Sequence, residues 1–221
     1  MAVQSFSDYL NHIGDRTDLY ELVAGYTGAQ KVIYPGSYLD LAPSYIWHDV
    51  TYLDSDARAQ RAFAQPNTAQ DLARRFRRYA YDPSISFVAG DYTHTLNELP
   101  RDGWELAISM YTGPVFEHIK QCIQPGGWLL ANNSHADAGL AFLDPDYQLV
   151  AAVSQHDDGY QLITENLNQF FQPKRPPHPT NEYLLNDGRG VRYTRTADVY
   201  LFRRAAINPV GTAGKNGSSG S

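Results

Sequence analysis

Gly36 and Asp54 are the pair of residues whose types and spacing first point to chemistry. The run "KVIYPGS" ends a β-branched stretch at a Pro-Gly turn, and "DVTYLDSD" ends a second such stretch at an acid eighteen residues beyond the glycine. A glycine turn lets backbone approach a ligand, and a carboxylate at about that distance can accept both hydroxyls of a ribose bound against the turn. Asp54 is therefore the leading ligand contact. Three further groups end strand-sized runs in the same way: Gly90-Asp91-Tyr92, Met110-Tyr111 and Asn132-Asn133-Ser134. If the runs are parallel strands, Tyr34, Gly36, Ser37, Asp54, Ser55, Asp91, Tyr92, Met110, Tyr111 and Asn133 share one rim at the carboxyl ends, where ligands of such sheets bind.

Elements suited to position them are legible. Strand-sized runs occupy 31–34, 49–54, 85–91, 104–110 and 127–133, each rich in branched or aromatic residues. Between them lie helical patterns. Residues 15–29 place Leu19, Leu22, Val23 and Tyr26 at helical spacing, with Gly28 as a stop. Residues 67–80 set Ala69, Leu72, Phe76, Tyr79 and Ala80 against a solvated face of Arg74, Arg75, Arg77 and Arg78, and residues 114–123 group Phe116, Ile119 and Ile123. Strand–helix alternation predicts a doubly wound α/β fold with a mostly parallel sheet and helices on both faces. After residue 145 the pattern changes. "YQLVAAVSQ" and "TADVYLFRR" read as an antiparallel pair separated by a Pro-, Asn- and Gly-dense insertion suited to a loop or lid.

Composition narrows the partners. The 221-residue chain is 43% hydrophobic and 19% charged, enough for one core without metals or disulfides, and its formal net charge of −6 argues against a broad nucleic-acid or anionic-membrane face. A single cysteine, Cys122, fits a reducing, cytoplasmic setting, and no apolar run approaches the roughly 20 residues of a membrane span. Residues 1–205 are expected to form one domain, and 206–221, ending "GKNGSSGS", a flexible linker-like tail.

The pieces "VIYPGS", "VTYLDSD", "FVAGDY", "WELAISMYTG" and above all "CIQPGGWLLANN" resemble the class I S-adenosylmethionine-dependent methyltransferases over about residues 15–205. The resemblance implies a Rossmann-like, seven-stranded sheet in the order 3-2-1-4-5-7-6 with the last strand antiparallel, and S-adenosylmethionine as cofactor. It puts Asp54 on the ribose, Asp91 and Tyr92 beside the adenine, and the Gly36 turn opposite the methionine part. Three departures stand out: Tyr34 occupies the first loop's acidic place, and Tyr38 and Asp40 replace its second and third glycines. This leaves the nucleoside end preserved and the methionine end rebuilt, with Asp40 offering a carboxylate to an ammonium group. Glu105 stands for the family's acid at the fourth strand.

Methyl transfer from a sulfonium needs in-line placement and, for some acceptors, a base, but no metal. Tyr111, Asn133 and His135 follow the fourth and fifth strands and are the catalytic candidates. His135 suits general-base work. Asn132 and Asn133 equally suit capping of the following helix. Tyr34, Tyr38, Tyr92 and Tyr111 together offer aromatic faces to a sulfonium cation. No cluster of His or Cys has metal-ligand spacing, no G-x-S-x-G elbow occurs, and "HDD" at 156–158 reads as a turn. The function expected is methyl transfer to a small-molecule acceptor. A non-catalytic nucleoside- or partner-binding module is the alternative, and a nicotinamide oxidoreductase ranks below both because no further glycine makes room for a pyrophosphate.

Overall fold

A computed structural model describes residues 5–188 and 190–206. The remaining residues, including nearly all of the expected tail, lie outside the described set. Elements follow in the order α1 (Phe6–Ile13), α2 (Thr17–Thr27), β1 (Lys31–Pro35), α3 (Pro43–Ile46), β2 (Asp49–Asp54), α4 (Ala57–Phe63), α5 (Thr68–Phe76), β3 (Ser84–Ala89), α6 (Tyr92–Glu98), β4 (Trp104–Ser109), α7 (Phe116–Ile119), β5 (Ile123–Ala131), α8 (Asp137–Leu143), β6 (Tyr147–His156), β7 (Gly159–Ile163), a 3-10 turn (Leu167–Phe171), α9 (Asn181–Asp187) and β8 (Val199–Arg204).

Among the described residues, eight strands join one sheet in the order β3-β2-β1-β4-β5-β8-β6-β7. The first five are parallel, and β8 runs antiparallel to both β5 and β6. The expected order therefore holds, with one strand added. Its source is the Asp157-Asp158 turn, which folds β7 back on β6 as an antiparallel edge strand, His156 pairing with Gly159.

Alternation along the strands divides the interior between the two faces. Val32, Tyr34, Val50, Tyr52, Leu106 and Ile108 pack on one side with Leu19, Tyr20, Val23 and Trp47, beneath α1–α5. Ile33, Leu53, Ala107 and Leu129 pack on the other with Leu96, Phe116, Ala138 and Leu184, beneath α6–α9. The fifth strand begins earlier than expected and includes Pro125-Gly126-Gly127. There the β4–β5 register shifts, and a Cβ on Gly127 would stand 2.9 Å from the Glu105 carbonyl oxygen, so only glycine admits this approach. Glu105 itself lies near the amino end of β4 and accepts from the Gln30 amide, away from the rim.

Two helices are shorter than their periodicity predicts. Helix α5 stops at Phe76 because Arg77 turns to φ −58°, ψ 144°. Phe76 is consequently exposed, while the Tyr79 hydroxyl donates to the Ser44 carbonyl at 2.8 Å. The arginine face is solvated and ion-paired, with Arg74 and Arg77 on Asp82 and Arg78 on Asp18 and Glu21. Helix α7 spans one turn, and buried Cys122 packs just beyond it against the Leu96 carbonyl.

Candidate functional site

At the carboxyl end of β1 the chain turns at Gly36, whose φ of 65° is left-handed and whose added Cβ would lie 2.1 Å from Thr112 Cγ2. Glycine is required there on both counts. The hydroxyl of Thr112 donates to the Pro35 carbonyl at 3.0 Å, tying the β4 exit to the β1 exit. Two residues on, Tyr38 adopts φ 49°, the conformation a glycine would have held. Its amide donates to Asp54 Oδ2 at 2.7 Å, and the Asp56 amide donates to Asp54 Oδ1 at 2.8 Å. Each Asp54 oxygen keeps a further lone-pair direction, since a carboxylate offers about four acceptor sites.

Gly36, Tyr38, Asp54, Ser55, Tyr92 and Tyr111 line a cavity of about 360 Å3 together with Asp56, Arg58 and Thr112. Asp56 caps α4, and its hydrogen bond from Arg58 lowers its pKa to about 2. The same guanidinium lies over the Tyr38 ring, 5.0 Å from its centre. The Tyr92 hydroxyl donates to the Thr112 carbonyl at 2.6 Å. Burial, then the charge of Asp54, raises the Tyr92 pKa. Asp91 caps α6 instead of facing the cavity, accepting from the Thr93 amide at 2.9 Å.

A second cavity, of about 210 Å3, adjoins through Tyr111 and is lined by Arg16, Met110, Gln155, Tyr160, Asp198 and residues of the α1–α2 connection. Tyr111, exposed and at φ 60°, thus borders both spaces. Arg16 stands 5.1 Å from the Tyr111 ring centre and pairs with Asp40 at 3.2 Å. Asp40 is fully buried and also accepts from the Tyr20 hydroxyl at 2.9 Å and the Ala42 amide at 3.2 Å. Burial raises its pKa, and Arg16, Tyr20 and the Ala42 amide oppose that shift. Tyr34 is buried beside this cluster, with its own pKa raised chiefly by burial.

The candidates thus separate into groups. Gly36, Asp54, Ser55, Tyr92 and Tyr111 come together at one cavity, and Met110 and Tyr111 at the next. Tyr34 and Asp40 are buried and line neither cavity. Ser37 is buried, its hydroxyl having no hydrogen-bond partner among the described residues. Asn133 Nδ2 donates to the Val191 carbonyl at 2.8 Å, holding the insertion against the end of β5. His135 is half-buried, with Nδ1 3.1 Å from the Ser134 hydroxyl, and burial lowers its pKa. Neither asparagine caps α8, which begins after Ala136 without a side-chain cap.

Sequence reasoning missed Thr112, Arg16 and Asp137. Asp137 is buried at the start of α8 and accepts from the Ser109 hydroxyl and from the amides of Val115 (3.2 Å) and Phe116 (3.0 Å). It staples the segment that follows β4. Burial raises its pKa to about 6 despite these donors. Local spacing gives no signal for it, because its partners lie more than twenty residues away. Among the described residues, no helix is long and apolar enough to cross a membrane.

No protein-family model matches the chain. No curated protein matches it by sequence. Its fold is similar to that of cofactor-bound Rv0187 from MTB, with a TM-score of 0.50 at 12% identity over 88% of this chain and 81% of that one. It is also similar to a "putative caffeoyl-CoA O-methyltransferase" from Staphylococcus aureus, with a TM-score of 0.50 at 10% identity over 73% and 91% of the two chains. The sheet order, the antiparallel β8 and these likenesses show a Rossmann-like α/β fold shared with methyltransferase structures.

Proposed function

We propose that the chain binds S-adenosylmethionine at the Asp54 cavity and transfers its methyl group to a small-molecule acceptor. The observation that carries this reading is Asp54 itself: a carboxylate at the end of β2, fixed by two backbone amides and facing a cavity shared with the Gly36 turn, Tyr92 and Tyr111. That donor set fits the nucleoside half of the cofactor. Asp54 would accept from the ribose hydroxyls, and Ser55 and Tyr92 would border the base. The unpartnered Ser37 hydroxyl supplies a polar atom near the turn. At the other end Asp40 acts through Arg16, which sets the Tyr111 ring between the two cavities. When bound, the cofactor supplies an electrophilic methyl group on a sulfonium, for which the Tyr38, Tyr92 and Tyr111 rings are suitable neighbours.

The smaller cavity is the candidate acceptor space, lined by Met110 and separated from the first by Tyr111, which borders both. His135 is the candidate base by residue type, although it lines neither cavity. Its lowered pKa keeps the imidazole neutral near pH 7, and in the tautomer whose Nδ1–H donates to the Ser134 hydroxyl, Nε2 is free to accept a proton. Asn133 positions the insertion over this end of the sheet. Neutral oxygen and nitrogen acceptors are both compatible with this arrangement.

One observation favours a second reading, a non-catalytic nucleoside-binding module. Asp40 is committed to Arg16 and Tyr20, so the carboxylate expected to meet an ammonium group is already engaged. Calorimetric titration with S-adenosylmethionine, S-adenosylhomocysteine, adenosine and NAD separates the readings. The methyltransferase reading expects the first two to bind more tightly than adenosine, and NAD to bind weakly. Adenosine binding as tightly as both supports the module, and no nucleoside binding removes both readings.

A further inference from the structure

A cavity of about 770 Å3 lies in the insertion between β7 and β8 and shares no lining residue with the Asp54 cavity. Lys174, Arg175 and Arg192 line it with His178, Tyr183 and Asp187. Three cations thus face one carboxylate, in a chain whose formal net charge is −6. None of the three makes an ion pair among the described residues, whereas Arg16, Arg58, Arg74, Arg77, Arg78, Lys120 and Arg204 all do.

The arrangement is built into the fold. The Lys174 amide donates to the Arg192 carbonyl at 2.9 Å, the Thr194 amide donates to the Gln172 carbonyl at 2.8 Å, and Pro173 bridges Tyr193. These bonds hold Lys174 and Arg192 side by side. Tyr193 and Leu184 anchor the walls in the second core, where both approach Gly139 of α8. Like charges held together repel, and an anion of matching charge removes that cost. Guanidinium forks pair bidentately with phosphate oxygens. The volume also falls in the range of about 300–1,000 Å3 typical of small-molecule pockets, well above what a bare phosphate fills.

We propose that this cavity binds an organic phosphate monoester, its dianionic group held by Lys174, Arg175 and Arg192. The site stands apart from the nucleoside cavity and does not depend on the methyl-transfer reading. The test titrates the full chain calorimetrically with phenyl phosphate and with inorganic phosphate at constant ionic strength. Saturable binding is expected, tighter for phenyl phosphate. Arg175→Gln with Arg192→Gln should weaken it by about tenfold or more, while Asp187→Asn tightens it. Adenosine affinity should be the same in every variant. Absence of saturable binding to the wild type overturns the proposal, as does equal affinity in wild type and the arginine variant. Equal affinity for the two phosphates overturns the organic ligand. Should the arginine variant fail to fold, Asp187→Asn decides alone, and a failure to tighten overturns the assignment.

Discussion

Replacing Asp54 by asparagine tests both what the carboxylate holds and what it binds. The wild-type side chain takes two backbone donors, Tyr38 N–H at 2.7 Å and Asp56 N–H at 2.8 Å, and is almost fully buried. Asparagine keeps one oxygen and turns an NH2 group toward the other donor. One charge-assisted bond is lost, about 1.5–3 kcal/mol, and at about 2–4 °C per kcal/mol for a domain of this size the melting temperature should fall by roughly 3–12 °C. Binding responds separately, because a ribose hydroxyl loses its acceptor. Adenosine affinity should drop on the order of 10- to 150-fold in the folded variant. Calorimetry with adenosine and 2′-deoxyadenosine isolates that contact: the variant should weaken the deoxynucleoside much less, since one hydroxyl partner is already missing. Equal weakening of both ligands, or unchanged adenosine affinity, would remove Asp54 from the ribose site.

Other substitutions test the supports around it. Asp91→Ala should cost about 1 kcal/mol of stability as a lost helix cap, with less effect on adenosine affinity than the Asp54 change; a larger affinity loss on calorimetry would contradict the placement. Asp40→Asn leaves the Arg16 charge without its partner and should destabilise by about 3–5 kcal/mol in urea unfolding; unchanged stability would show that the pair is not buried as described. Gly36→Ala should lower the melting temperature, and Thr112→Ser, which removes the methyl group nearest the new Cβ, should restore part of the loss; strictly additive effects would refute the close approach. Asp137 has a folded pKa of about 6 against an ordinary 3.8, so its protonation favours folding. That contribution is full below about pH 3.8 and lost as pH rises through about 6, amounting to on the order of 3 kcal/mol. The stability of wild type relative to Asp137→Asn should therefore increase as pH falls from 7 to 4, and a pH-independent difference in chemical denaturation would exclude this role.

The first five strands and their order were legible because parallel, two-sided strands are continuous apolar runs ending in turn residues, as "KVIYPG" and "VTYLDSD" are. The edge strand β7 was not, since Gly159–Ile163 is short and polar enough to read as part of the turn before it. Helical periodicity overran α5 because Tyr79 is half-buried through a hydrogen bond to the Ser44 carbonyl from the bend that follows the helix, which mimics the next helical turn. Of the candidate site, the local part was readable: Gly36 and Asp54 signal by type and spacing. What escaped is long-range. Arg16 meets Asp40, Thr112 meets Gly36, and Asp137 meets Val115, each across two elements that no local pattern links.

The missing glycines now have a physical account. A tyrosine at φ 49° carries a backbone cost of about 1–2 kcal/mol that glycine would avoid. The Tyr38 amide bond to Asp54 is one a glycine would make equally well, so it cannot explain the tyrosine. The ring can. It packs edge-to-face on Tyr9 with centres 4.8 Å apart, and the Arg58 guanidinium covers it. Such aromatic contacts are worth about 0.5–1.5 kcal/mol each, enough together to offset the backbone term. The loop therefore keeps the left-handed path of a glycine turn while its side chain ties α1 and α4 to the cavity edge. Asp40 follows the same logic: its charge serves Arg16 and, through it, the ring of Tyr111. Polar side chains thus rigidify the β1 loop from within, and the Asp54 carboxylate keeps the geometry on which the proposed nucleoside contact depends.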